Sequence, residues 1–176
     1  MSRNISTLGN QRNRKTGKNK YKQGVYVLQN IDKYIGITPI LYRSSWEFAF
    51  CRFCDMNDKI VKWSCESLEI PYKISNDSGK IETHRYYPDF YVEMINPENP
   101  EKYDRLVIEI KPKSETEMPK YPVKQTLKML ENHEYALRTY KKNLHKWAFT
   151  KDWCEKRGLK FIIISEDDLK KKGLIL

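Results

Sequence analysis

The chain has 176 residues and a formal net charge of +10, from 33 Lys and Arg residues against 23 Asp and Glu residues. This length is typical of one domain with one hydrophobic core, and a hydrophobic fraction of 39% is sufficient to build that core. No apolar run approaches the roughly 20 residues of a membrane span, and the basic N-terminus lacks the apolar region of a secretory signal. We therefore expect a protein that is neither inserted in a membrane nor secreted.

Residues 1–24 predict a basic arm, and residues 25–176 predict a single domain. The arm has neither hydrophobic periodicity nor an acidic residue, which is typical of a flexible, solvated extension. It either keeps the protein soluble or binds the phosphates of a nucleic acid, and the excess of positive charge favours phosphate binding. The candidate phosphate contacts in the arm are Arg12, Arg14, Lys15, Lys18, Lys20 and Lys22.

The first elements after the arm are a short strand and a helix. Residues 25–30, VYVLQN, predict the strand, and residues 37–57 predict the helix. Aromatic residues recur in the helical segment at spacings of three and four, which gives the helix one face to bury. These residues are Tyr42, Trp46, Phe50 and Phe53. Glu47 lies near the edge of that face.

Segments rich in β-branched and aromatic residues follow. Residues 59–74 divide at Pro71 into one or two strands, and residues 83–95 predict a strand that pairs with them antiparallel. Residues 105–113, RLVIEIKPK, predict the next strand after a polar turn.

The C-terminal part predicts a long helix and a last strand. The helical stretch covers residues 123–157, with breaks expected near Asn132 or Asn143, and Gly158 is placed to end it. Residues 159–169, LKFIIISEDDL, predict an apolar strand buried on both faces of a parallel sheet. A strand, a helix and a strand in this order imply a right-handed crossover, hence a mixed sheet flanked by helices.

Acidic residues occur where two of these strands should enter the core. Alternation along residues 105–113 puts Val107, Glu109 and Lys111 on one face, and antiparallel pairing would bring Asp89 beside Glu109. Pro88 removes a ladder hydrogen-bond donor just before Asp89, as at the end of a strand. Two neighbouring carboxylates repel each other unless a cation or a proton lies between them.

A divalent cation is therefore expected at this position. Mg²⁺ takes one or two protein carboxylates together with water and phosphate oxygens, which Asp89 and Glu109 would supply, and Glu47 could complete the shell. Lys111 could orient an attacking water, stabilise charge in the transition state, or act as a base. The alternative is a surface Glu and Lys pair on a half-exposed strand, which is how EIK usually occurs.

Further charged residues are candidates for the same site, and four cysteines are candidates for a separate zinc site. Lys113 is a candidate phosphate contact, as are Lys120 and Lys124. Arg43 precedes Glu47 by one helical turn, so it can orient that acid or contact DNA. Glu66 is either a metal ligand or a surface ion-pair partner. Cys51, Cys54, Cys65 and Cys154 lack the spacing of a zinc site and favour reduced, buried thiols.

Glu47, then PDF with Asp89, then EIK with Glu109 and Lys111 together resemble the PD-(D/E)XK nuclease superfamily. Longer segments, including HRYYPDFYV, VIEIKPKSET and KWAFTKDWCEKRGLKFIIISE, resemble the head completion nucleases of T-even-type tailed phages. They are also similar to the N-terminal catalytic domain of TnsA-type transposon endonucleases. The resemblance covers most of residues 40–166 and leaves out the basic arm.

The resemblance implies an α/β fold with a restriction-endonuclease-like αβββαβ core, and DNA cleavage that depends on Mg²⁺, with Mn²⁺ as a substitute. The family's helix acid falls on Glu47, its metal acids on Asp89 and Glu109, and its lysine on Lys111. TnsA-type enzymes often have Gln at the position of Glu109. No small-molecule cofactor and no membrane are expected.

The same resemblance implies a biological setting. The enzyme would trim or mature the ends of packaged DNA, so that portal or neck proteins can complete the phage head. It would work in the host cytoplasm during assembly, and an association with the virion stays open. Two alternatives remain, a catalytically silent DNA-binding assembly protein and a TnsA-like nuclease of transposon ends. The presence of all four catalytic positions favours the enzyme.

Overall fold

The computed structural model describes residues 23–75 and 78–175. The strands are β1 (Gly24–Tyr26), β2 (Ile40–Tyr42), β3 (Ile60–Cys65), β4 (Ile70–Ser75), β5 (Ile81–Tyr86), β6 (Phe90–Ile95), β7 (Tyr103–Ile110) and β8 (Lys160–Ile164). The helices are α1 (Ser45–Met56), α2 (Lys113–Thr116), α3 (Leu127–Glu155) and α4 (Glu166–Lys171). The predicted basic arm lies outside the described residues, apart from Gln23 and Gly24.

A mixed sheet with the strand order β3-β6-β7-β8 forms the centre of the fold. The β3–β6 and β6–β7 pairs are antiparallel, and β8 runs parallel to β7. A parallel neighbour requires a crossover, which α3 provides. Without the β4–β5 hairpin, the order α1, β3, β6, β7, α3, β8 is the αβββαβ core. The predicted α/β fold with a mixed sheet flanked by helices is therefore confirmed.

Each face of this sheet has its own hydrophobic cluster. Leu106, Ile108 and Ile110 of β7 pack with α1 and α4, whereas Val107 packs with α3 and the β4–β5 hairpin. The predicted alternation along β7 is therefore correct. Because both faces are covered, the next residue on the Val107 side, Glu109, lies in the interior.

The predicted antiparallel pairing of residues 59–74 with residues 83–95 is confirmed by β4–β5 and β3–β6, and the first difference lies in how residues 83–95 are divided. Residues 83–95 were expected to form one strand, but the structure divides them between β5 and β6. Strand β5 pairs with β4, while β6 pairs with β3, so the hairpin forms a separate sheet. The division falls at Tyr87–Asp89, where Pro88 has no amide hydrogen for a ladder.

Helix α1 begins later than predicted. Residues 40–42 belong to β2, which pairs with β1, and the helix starts only at Ser45. Ser44 is its N-cap, since its hydroxyl accepts a 3.1 Å hydrogen bond from the amide of Glu47. The helix buries Phe50, Cys51 and Cys54 against the sheet. The cap fixes where the backbone turns and therefore where Glu47 lies.

The C-terminal elements also differ from the prediction. Helix α3 is continuous through Asn132 and Asn143, where breaks were expected, and Gly158 follows it with φ at 65°. Strand β8 is an edge strand, so Ile162 is 38% exposed and the expected burial on both faces is wrong. The residues after β8 form α4, which Ser165 begins with a capping box to Asp168.

A buried carboxylate supports the end of α1 far from Glu47. Asp55 is fully buried and accepts hydrogen bonds from the Tyr26 hydroxyl at 2.8 Å and the Gln29 amide at 2.7 Å through Oδ2. Its Oδ1 accepts from the Asn30 amide at 3.0 Å. These contacts hold the segment after β1 against the helix. No helix within residues 23–75 and 78–175 has the length and apolar character needed to cross a bilayer.

Candidate active site

Asp89 lies in the turn between β5 and β6, one residue before β6 begins. The β6–β7 register pairs Phe90 with Ile108, so Asp89 lies across from the end of β7 that carries Glu109. Its Oδ2 accepts a 2.7 Å hydrogen bond from the amide of Ile110. Its main-chain oxygen accepts one of 3.1 Å from the amide of Glu66. Backbone hydrogen bonds thus fix both the side chain and the main chain of Asp89.

Glu109 is buried, with 1% of its surface exposed. Its Oε1 lies 3.1 Å from Nζ of Lys111 and 3.5 Å from Nζ of Lys146. Its Oε2 is buried and has no hydrogen-bond partner among the described residues. An unpartnered buried carboxylate oxygen is costly, so this oxygen is placed to accept a ligand.

The two carboxylates act on each other electrostatically. Burial and the negative charge of Glu109 raise the pKa of Asp89 to about 7, although the Ile110 amide and the Lys111 ammonium act in the opposite direction. The charge of Glu47 adds to this increase. Neighbouring carboxylates oppose each other's ionisation unless a cation lies between them. They therefore supply both the oxygen ligands and the negative charge that attract a hard cation.

Lys111 directly follows β7, and its amide donates a 3.0 Å hydrogen bond to the carbonyl of Ile164 on β8. Burial alone would lower the pKa of Lys111, but the carboxylates of Glu109 and Asp89 outweigh burial and the pKa is raised. Lys111 therefore carries an ammonium group in this arrangement. Of the roles predicted for it, charge stabilisation fits this state, whereas a base would need the neutral amine.

Glu47 lies in the first turn of α1 and contacts the N-terminus of its own helix. Its Oε2 accepts a 2.7 Å hydrogen bond from the amide of Arg43, and its Oε1 accepts one of 3.0 Å from the Ser44 hydroxyl. Glu47 and Asp89 both line a small cavity. Among the described residues, no group of three His, Cys, Asp or Glu side chains is arranged to hold one metal ion. Asp89 and Glu109 are accordingly the better donor pair, with Glu47 beside them.

Lys146 of α3 is a site residue that sequence analysis missed. Besides Glu109, its ammonium group lies 4.3 Å from the centre of the Tyr86 ring, and its side chain is only 15% exposed. Burial, together with the charge of Lys111, lowers the pKa of Lys146. No local motif identifies this lysine. The available signal was its place beside Trp147 on the buried stripe of the helix.

Two further predicted DNA contacts, Arg43 and Lys113, form ion pairs with carboxylates at the surface. Arg43 pairs with Glu66, which agrees with the ion-pair interpretation of Glu66. Lys113 lies 3.0 Å from Asp167. The candidates Arg12, Arg14, Lys15, Lys18, Lys20 and Lys22 lie outside the described residues. Arg43 and Lys113 each pair with a carboxylate at the surface, and surface ion pairs of this kind contribute little stability.

The cysteines are free thiols. Cys51 and Cys54 are buried in α1, and Cys154 is buried under the opposite face of the sheet. The sulfur atoms of Cys51 and Cys65 lie 3.8 Å apart. Burial raises the pKa of Cys154 to about 11, so its neutral thiol form is favoured. These positions agree with the prediction of reduced thiols.

Comparisons with known proteins agree with this geometry. A family model described as TnsA-like endonuclease N terminal matches residues 57–166, which include Asp89, Glu109 and Lys111 and begin after Glu47. The chain is 36% identical over 151 residues to the head completion nuclease of Enterobacteria phage T4, which covers 85% of this chain and 95% of that protein. No solved structure matches the chain. These similarities support a nuclease role, and the chain belongs to the TnsA-like N-terminal endonuclease family.

Proposed function

We propose that this protein is a metal-dependent endodeoxyribonuclease that hydrolyses phosphodiester bonds in DNA. The observation that carries the proposal is the meeting of Asp89, Glu109 and Lys111 where β6 begins and β7 ends. Two acids and a lysine at the ends of adjacent strands can bind a cation and stabilise the charge of phosphoryl transfer.

The donor set fits a divalent metal ion. Glu109 presents a buried oxygen without a partner, and Asp89 has a pKa of about 7 because of burial and the adjacent carboxylate. We assign Asp89 and Glu109 as the metal ligands, with Glu47 close enough to contribute a third charge. Mg²⁺ is the proposed ion and Mn²⁺ its substitute, because carboxylate and phosphate oxygens suit both. When bound, the ion supplies a Lewis acid for the phosphate and lowers the pKa of a water molecule.

The protein's own residues perform the remaining work. Lys111 holds positive charge beside Glu109, where it can stabilise the negative charge that develops on the phosphoryl oxygens. The Ile110 amide holds Asp89 in one orientation, so the acid does not reorganise during the reaction. Glu47, fixed by Arg43 and Ser44, is held in the cavity that Asp89 also lines. These fixed groups are the electrostatic preorganisation that a phosphoryl-transfer centre requires.

We further propose a role in completing the head of a tailed phage. The similarity to a protein named head completion nuclease supports this setting. The enzyme would trim or mature the ends of packaged DNA, with portal or neck proteins as partners, in the host cytoplasm or associated with the virion. The formal charge of +10 favours DNA as the principal partner.

The test is incubation of the purified protein with linear, supercoiled and branched DNA in Mg²⁺, in Mn²⁺ and in EDTA. The Asp89→Ala variant is the control. We expect metal-dependent cleavage that EDTA and the variant abolish, and the substrate that is cut fastest defines the DNA structure recognised. Binding without cleavage on every substrate and with either metal would contradict the nuclease proposal and favour a DNA-binding assembly protein.

A further inference from the structure

A groove lies between the β4–β5 hairpin and α3, next to the acidic centre. Tyr72 and Arg85 of the hairpin line one wall, and Lys142 and Lys146 of α3 line the other. Tyr86 lies at the inner end, under the ammonium group of Lys146. The groove is thus adjacent to the centre, because Lys146 lines the groove and also contacts Glu109.

Most cations of the groove have a carboxylate partner in the protein. Arg43 pairs with Glu66, and Nε of Arg85 lies 3.4 Å from Oε1 of Glu69. Lys146 is paired with Glu109, as described above. Lys142 is exposed, and the described residues place no carboxylate in an ion pair with it. The outer part of the groove therefore presents an uncompensated positive charge to any anion that enters.

The two lysines follow the axis of the groove. Lys142 and Lys146 are four residues apart on α3, so they lie on one side of the helix with a rise of about 6 Å between them. The contact between Lys146 and Glu109 uses Oε1, and a cation bound by Glu109 would weaken this ion pair by competing for the same charge. Lys146 would then need a new anion, and a phosphate in the groove supplies one.

We propose that this groove binds the phosphate backbone of the DNA strand at the cleavage centre. Lys146 contacts the phosphate nearest the acids, and Lys142 contacts a phosphate further out along the same strand. Arg85, paired with an exposed glutamate on the rim, is the secondary contact. This inference rests on the proposed nuclease function and adds the path by which the substrate reaches Asp89 and Glu109.

The test compares Lys142→Met with Lys141→Met. Both residues are exposed and adjacent on α3, and each variant removes one positive charge, but only Lys142 lines the groove. The affinity for a short DNA duplex is measured in EDTA, without cleavage, over a range of KCl concentrations. Lys142→Met should weaken binding about fivefold and reduce the slope of log affinity against log salt by about one, while Lys141→Met changes neither.

A second readout detects the contact directly. In wild-type protein mixed with DNA, Lys142 should be protected from acetylation by a small reagent, and Lys141 should stay reactive. Equal binding losses in the two variants, or equal acetylation of the two lysines, would overturn the groove assignment. If wild-type protein cuts DNA while the two variants bind DNA equally well, the groove assignment is wrong and the proposed nuclease function is retained. If wild-type protein binds DNA but never cuts it, the proposed nuclease function is wrong. The binding data for the two variants still test whether the groove binds DNA.

Discussion

The main-chain amide of Ile110 donates a 2.7 Å hydrogen bond to Oδ2 of Asp89. This contact ties the acid in the turn before β6 to the residue that follows Glu109 on β7. Strand pairing and one backbone hydrogen bond therefore fix the position of the Asp89 carboxylate relative to the main chain of β7. Because the amide stabilises the ionised form of Asp89, it also opposes the rise in pKa that burial and Glu109 cause.

This relationship separates the structural role of Asp89 from its chemical role. Asn at this position keeps an oxygen that can accept from the Ile110 amide, whereas Ala does not. We expect both Asp89→Asn and Asp89→Ala to lower the cleavage rate by at least about 100-fold, because both remove a metal-binding charge. Only Asp89→Ala should lose the stability that the hydrogen bond contributes, about 1 kcal/mol. Urea unfolding and cleavage assays on the two variants check this, and an active Asp89→Asn enzyme would remove the carboxylate from the mechanism.

Lys111 is expected to act on the transition state and not on binding of DNA. Lys111→Ala removes the ammonium group 3.1 Å from Glu109, so the cleavage rate should fall by at least about 100-fold. The affinity for DNA in EDTA should change little, because most of the basic surface is retained. Lys160→Ala is the control, since this exposed lysine pairs with Asp104 away from the acids. Unchanged cleavage by Lys111→Ala would exclude the assigned site.

The basic arm is expected to contribute to DNA affinity through charge alone. Deletion of residues 1–23 removes Arg3, Arg12, Arg14, Lys15, Lys18, Lys20 and Lys22. Binding to DNA should weaken, and the dependence of affinity on salt should become shallower, because fewer counterions are released. Titrations at several KCl concentrations measure the slope. An identical slope for the full chain and the deletion would show that the arm does not touch DNA.

Asp55 is expected to contribute stability that depends on pH. Burial alone would raise the pKa of Asp55, but hydrogen bonds from Gln29, Tyr26 and Asn30 outweigh burial and the pKa is lowered. The folded-state pKa is thus below the unfolded value of about 3.9. The contribution is therefore complete well above pH 4, and it is lost as the pH falls through the folded-state pKa.

The variant Asp55→Asn tests this contribution. It removes the charge and places an amide against backbone donors, so the free energy of unfolding near neutral pH should fall by about 2 kcal/mol. The gap between variant and wild type should narrow in acid, as the wild-type carboxyl group takes up its proton. Asp58→Asn, at an exposed turn position, is the matched control. A gap that does not vary with pH would show that the charge of Asp55 is unimportant.

The sequence predicted the pairing that builds the site, because that pairing depends on local alternation. Leu106, Val107 and Ile108 alternate between two hydrophobic clusters, as the pattern of β7 indicates. The division of residues 83–95 into β5 and β6 was missed because this segment has continuous strand propensity. Propensity does not tell which neighbour a strand pairs with, and Pro88 was the only local sign of the division.

Other features could not be predicted because they depend on distant contacts. Lys146 contacts Glu109 across 37 positions of sequence, and its place beside the buried Trp147 does not tell which distant residue it contacts. Asp55 likewise becomes a buried acceptor only when Gln29 and Asn30 fold against α1. The start of α1 was misplaced because aromatic residues at helical spacing continue into β2. Ser44 is the physical reason that the helix begins where it does.

The hydrogen bond from the Glu66 amide to the carbonyl of Asp89 closes the base of the β4–β5 hairpin. The segment between β3 and β6 thus begins and ends at this hydrogen bond. Its strands β4 and β5 pair with each other and not with the central sheet. A change in the length of the hairpin beyond its packed base should therefore leave the register that places Asp89 beside Glu109 unaltered.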